Sequence, residues 1–151
     1  MKHFLLISTT LCLSAGAAFA AELPPLVPQP NPQMVVDEHI DALNKCDWNR
    51  LMAQYPPEVQ IIVPGGADFI GREKVGDLFE GFCKSHADGG LNGLIFTVLN
   101  TFTVGDTLNV QWSADADFLA EPYLGADAYV TKDGFMYAQV TTFDGAELKF
   151  K

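Results

Sequence analysis

Beside its 19 acidic residues, this 151-residue chain has only 3 histidines and 3 cysteines for acid–base, redox or metal chemistry. Asp115 and Asp117 are two residues apart in an alternating stretch, so their carboxylates share one side of a strand. Such a pair can serve acid–base work or cation binding. The same alternation sets them opposite Trp112, Ala114, Ala116 and Phe118, the pattern of a strand's solvated face. Cys83-Lys84-Ser85-His86 brings two metal-ligating types close together, but the rest of a ligand set is missing. His86 falls where a helical stretch ends, and there an imidazole interacts with the helix dipole. His39 is different, because it lies beside the apolar stripe of a helix and imidazole titrates near neutral pH. Tyr55, Trp112, Tyr123, Tyr129 and Tyr137 combine apolar bodies with polar tips, a composition suited to lining a pocket. There is no nucleophile elbow, phosphate loop or dinucleotide fingerprint, so no cofactor and no metal are expected.

The elements that would position these residues follow from periodicity. From Pro32, Val36, Ile40 and Leu43 form one helical stripe, with Asp37, Glu38, Asp41 and Lys45 outside it. Asp47 caps a second, short helix whose apolar side is Trp48, Leu51 and Met52, and Pro56-Pro57 ends it. Val59 to Val63 is β-branched and reads as a strand, broken by Pro64-Gly65-Gly66. Gly71 opens a third helix in which Val75, Leu78, Phe79, Phe82 and His86 keep one face, and Asp88-Gly89-Gly90 stops it. Strands are expected over 94–104, from Leu108 to Phe118, near 123–131 and from Phe135 to Phe143, with Asp133-Gly134 as a hairpin turn. Helices first and an antiparallel meander last make an α+β sheet with helices on one face.

The first twenty residues read as a secretory leader. Lys2 and His3 precede an apolar run from Phe4 to Cys12, and Ala18-Phe19-Ala20 offers a small-x-small cleavage pattern after Ala20. That run is too short to span a bilayer, and no membrane insertion is expected after cleavage. A periplasmic or secreted location follows. Residues 21–33 hold five prolines and read as an extended tether outside the core, leaving 34–151 as one domain. With Lys+Arg 9 against Asp+Glu 19 the net charge is −10, which argues against nucleic acid and anionic surfaces as partners. Cys46 and Cys83 remain after cleavage, and in an oxidising compartment they are either one disulfide or two buried thiols.

The order helix, short helix, strand, helix and long antiparallel strands resembles the nuclear transport factor 2-like superfamily, which includes ketosteroid isomerases and SnoaL-like polyketide cyclases. Ala42-Leu43-Asn44 with Asp47, Leu51 and Tyr55 looks like that family's first helical hairpin. Gly71-Arg72-Glu73 looks like its opening of the third helix, and Asp127-Ala128-Tyr129 like its late pocket-lining strand. The resemblance implies a cone: a strongly bent antiparallel sheet wrapped around three helices, with an apolar cavity for a small molecule. Tyr55, Val63, Phe79, Trp112, Tyr123 and Tyr129 are the residues it would use as lining. In the isomerases a tyrosine on the first helix and a protonated aspartic acid on a late strand donate to a developing oxyanion. Here His39 stands at the tyrosine's place and Asp127 at the acid's, and Val63 replaces the general base. Isomerisation through that base is thereby excluded, unless Asp68 or another loop acid reaches the same space. What the resemblance leaves is a His39–Asp127 pair, either polarising a carbonyl in an isomerase, cyclase or dehydratase-like proton transfer, or merely bonded to each other. The outer sheet face carrying Asn109, Gln111, Ser113, Asp115 and Asp117 is a third expectation, as the surface of a homodimer.

Overall fold

The structure, a computed structural model, describes residues 22–151. The expected leader falls outside the described residues. Helix α1 (Pro32–Asn44) starts with a proline in its first turn and with Asn31 as N-cap, its side chain accepting from the Met34 N–H. The buried face of α1 carries Val35, Val36, His39, Ala42 and Leu43. Helix α2 (Trp48–Met52) is capped by Asp47, which accepts from the Arg50 N–H. Strand β1 (Gln60–Ile62) turns through Gly65 and Gly66, both at positive φ, into strand β2 (Asp68–Ile70). Those glycines therefore do more than break the first strand, as expected of them: they return the chain into an antiparallel partner. Three residues are too few for periodicity to reveal β2.

Helix α3 (Arg72–Phe82) begins after Gly71, whose φ of 88° suits only glycine. Arg72 Nη2 then donates to the Pro24 and Met52 carbonyls, at 2.7 and 2.8 Å. The Gly-Arg start of this helix is therefore a clamp on two other segments. Contrary to the expectation, α3 stops at Phe82 and does not reach His86. Instead Leu91 N–H bonds the Phe82 carbonyl, and a Cβ on Gly90 would lie 2.2 Å from the Lys84 carbonyl, so the chain folds back tightly there. His86 stacks on Phe118 and Phe150, with ring centroids 4.5 and 5.0 Å away, and caps no helix end.

Four long strands complete the domain: β3 (Ile95–Val104), β4 (Thr107–Asp115), β5 (Tyr123–Lys132) and β6 (Phe135–Thr141). Asp133 and Gly134 both take positive φ in the two-residue β5–β6 turn, as expected of Asp-Gly. The sheet order is β2-β1-β6-β5-β4-β3. β1 lies parallel to β6, so the sheet is mixed and not wholly antiparallel. A parallel neighbour so distant in the chain leaves no local signal. Register shifts at Val98/Asn100 and Val130/Thr131 bend the sheet into the cone of the α+β fold.

The proline-rich stretch is extended, but it is docked on the domain and not free of it. Val27 and Gln29 donate to the Ala53 and Gly134 carbonyls, Arg72 holds Pro24, and Leu23 packs against the core. Cys46 and Cys83 form a disulfide, with Cα atoms 5.4 Å apart and a separation of 37 positions in sequence. Closing a loop of that length removes on the order of 4 kcal/mol of unfolded-chain entropy. The bridge joins the ends of α1 and α3. Among the described residues no helix is long and apolar enough to cross a membrane.

Candidate functional site

The inner face of the sheet and the helices leave a cavity of about 110 Å³ between them. Ile40 and Leu43 of α1 and Leu78, Phe79 and Phe82 of α3 form the helical wall. Val63, Phe96, Trp112 and Phe143 close it from the sheet side. Asn44 fixes one edge: its amide donates to the Phe96 carbonyl and accepts from the Phe96 N–H, at 2.9 and 2.8 Å. That two-way bond ties the end of α1 to the start of β3. The cavity is apolar except for Asp127, Tyr129, Gln139 and Thr141.

Trp112 reaches this wall because Gly125 stands opposite it on β5. A Cβ there would lie 2.3 Å from the indole ring, so glycine is what lets the ring lie across the strand. The alternation of β5 turns Asp127 and Tyr129 inward beside it. Asp127 Oδ2 accepts from the Tyr129 hydroxyl at 2.6 Å and from Gln139 Nε2 at 3.1 Å. Burial pushes the Asp127 carboxyl above its ordinary range, and hydrogen bonding partly opposes this. Burial and the Asp127 charge both push the Tyr129 phenol up.

His39 is wholly buried, but it is not part of the cavity's lining. Its Nδ1 pairs with the Tyr55 hydroxyl at 3.0 Å, and the rings of Phe79 and Tyr129 stand 5.9 and 5.5 Å away. Desolvation lowers its pKa to about 4, so the ring is neutral at pH 7. The expected His39–Asp127 hydrogen bond does not form: His39 Nε2 has no partner among the described residues, and Asp127 bonds Tyr129 and Gln139 instead. A tyrosine hydroxyl takes the place beside each residue.

Of the residues expected to line a pocket, Val63, Phe79, Trp112 and Tyr129 stand in the cavity wall. Tyr55 lies behind it, stacked on Phe79 with centroids 5.8 Å apart. Tyr123 packs on Trp112 and Phe143 and donates to the Thr142 carbonyl. Tyr137 lies under Lys132. Asp115 and Asp117 are exposed on the outside. Gln139, Thr141 and Gly125 were missed by sequence reasoning. Gln139 and Thr141 share a parity on β6 with nothing in their types to mark them, and the need for Gly125 is visible only once Trp112 is known to face it.

A model of the SnoaL-like domain family matches residues 36–145. A search of curated proteins returns no match. Among solved structures the chain is similar to a nuclear transport factor 2-like protein of unknown function from Burkholderia pseudomallei, at 15% identity and a TM-score of 0.65, covering 79% of this chain and 95% of that one. A candidate polyketide cyclase from Sinorhizobium meliloti gives 17% identity and a TM-score of 0.61, over 72% of this chain and 94% of that one. A candidate ketosteroid isomerase from Kribbella flavida gives 15% and 0.62, over 75% and 77%. At these identities the structures speak for the fold alone. Because the family model takes in most of the cone from α1 past β6, the chain belongs to the SnoaL-like domain family.

Proposed function

We propose that this protein is an exported domain, periplasmic or secreted, that binds a small, mostly apolar molecule in its cone. The observation that carries the reading is the cavity itself: an apolar chamber of about 110 Å³ with its few polar groups gathered on β5 and β6. Apolar walls with a small number of placed polar groups are the usual make-up of a small-molecule site. Filling the chamber tests this. Saturable binding of toluene, read by calorimetry, should be lost in Val63→Phe while the variant melts cooperatively; toluene binding unchanged in that variant would place the ligand elsewhere. Export is read from the mass of the chain made in full in a bacterial host, which should begin at Ala21.

An enzymatic reading keeps the same chamber and uses Asp127, in its wall, to polarise or protonate a carbonyl. His39 then serves to position Tyr55, since it does not line the cavity. Carbonyl substrates turned over by the native chain and not by Asp127→Asn would support it.

A separate observation favours self-association. On the outward sheet face Ile62, Phe102, Leu124 and Val140 are exposed, Leu124 by 67%. Strand pairing puts Gln60 and Ile62, Ala138 and Val140, Ala128 and Val130, and Phe102 on that one face. In a chain of net charge −10, β3 and β6 bear no charged residue at all. A second copy is the partner such a face fits, because elsewhere like charges repel. Sedimentation should show a dimer dissociated by Leu124→Lys; a monomer at high concentration would contradict it.

A further inference from the structure

Six buried side-chain polar atoms lack a hydrogen-bond partner among the described residues, and three of them belong to neighbours in the cavity wall: Trp112 Nε1, Asp127 Oδ1 and Gln139 Oε1. These three are close together. Gln139 Nε2 holds Asp127 Oδ2, so the other oxygen of each group lies one bond angle away. The Trp112 indole N–H stands near enough to the Asp127 carboxyl to favour its charged form, without reaching bonding geometry. A buried polar atom without a partner costs about 1–3 kcal/mol, and a protein seldom leaves several of them on one side of one cavity.

Their types restrict what would satisfy them. An indole N–H only donates, and an amide oxygen only accepts. A carbonyl on a ligand can accept from Trp112, and from Asp127 where that carboxyl is neutral, but offers nothing to Gln139 Oε1. A purely hydrocarbon ligand satisfies none of them. A hydroxyl both accepts and donates. Resting on the small-molecule reading above, we infer that the cavity selects an uncharged, apolar molecule bearing one hydroxyl group, an alcohol or a phenol, which accepts from Trp112 and donates to the Asp127–Gln139 side.

Phenol, toluene and benzaldehyde have nearly one shape and separate the cases. Binding is measured by calorimetry on the full mature domain, and the ratio of phenol to toluene affinity is the readout. Phenol should bind about tenfold more tightly than toluene, the worth of hydrogen bonds to otherwise unpartnered groups. Benzaldehyde should fall well short of phenol. The phenol-to-toluene ratio should drop toward one in Trp112→Phe and in Gln139→Leu. Should either variant fail to fold, the other and the three-ligand comparison on the native chain still decide. A ratio near one in the native chain overturns the hydroxyl inference and leaves the apolar pocket standing. Benzaldehyde binding as tightly as phenol overturns it too, since no donor would then be required. If none of the three binds, the pocket reading fails and the inference with it.

Discussion

Two ionisable residues are buried between α1 and the sheet, each bonded to a tyrosine, yet only one of them borders the cavity. His39 pairs with Tyr55 at 3.0 Å behind the wall, whereas Asp127 pairs with Tyr129 at 2.6 Å within it. Burial drives both toward their neutral forms. Burial and a perturbed pKa therefore do not by themselves mark a site in this fold; access to the cavity does. His39 is a core residue with one nitrogen bonded and the other unpartnered among the described residues, and Asp127 is the one that borders the cavity.

The largest effect that would separate the two is acid sensitivity. The pKa of His39 is about 4 in the fold against 6.5 unfolded, so the unfolded chain binds the extra proton first. The stability this contributes is fully present above 6.5 and is lost as pH falls to about 4, amounting to roughly 3 kcal/mol. Asp127 acts in the opposite sense: its raised pKa favours the fold at low pH, and that contribution is lost as pH rises through its folded value. Urea titrations between pH 7 and 4 should show the acid loss in the native chain and a flatter profile in His39→Gln. A profile unchanged by that substitution would mean that His39 is not held neutral by burial.

A smaller effect is expected at Gly125, where alanine's Cβ would push into the Trp112 ring. Overpacking of this kind costs about 1–3 kcal/mol, and Gly125→Ala should also weaken toluene binding while leaving the His39 titration in place. The smallest changes come from the tyrosines. Tyr55→Phe and Tyr129→Phe each remove one buried hydrogen bond, worth about 1 kcal/mol. Only Tyr129→Phe should alter ligand affinity. Equal losses of affinity in both would erase the distinction between wall and interior.

Much of the cone was legible from periodicity, because α1, α3 and the β4–β6 meander are long enough to repeat their patterns. Caps and turns were legible for a local reason: Asp47 and Asp133-Gly134 act within a few residues of themselves. The parallel β1–β6 pairing, the short β2 and the early end of α3 were not legible, since each is decided by contacts distant in sequence. The site divides in the same way. Asp127, Trp112 and Phe79 stood out by type, but which face of the wall His39 occupies depends on how α1 sits on the sheet. Gln139 is an ordinary strand glutamine until β6 brings it beside Asp127.

The chain has two tryptophans, and they report from opposite sides of the account. Trp112 lines the cavity with its indole N–H unpartnered among the described residues, while Trp48 lies outside it with its N–H bonded to the Gly76 carbonyl at 3.1 Å. Following both indole N–H resonances by NMR during a toluene titration tests the central claim most directly. Saturable movement of the Trp112 signal with Trp48 unchanged is the result expected of a ligand seated against β4 and β5. Movement of Trp48 alone, or of neither, would contradict it.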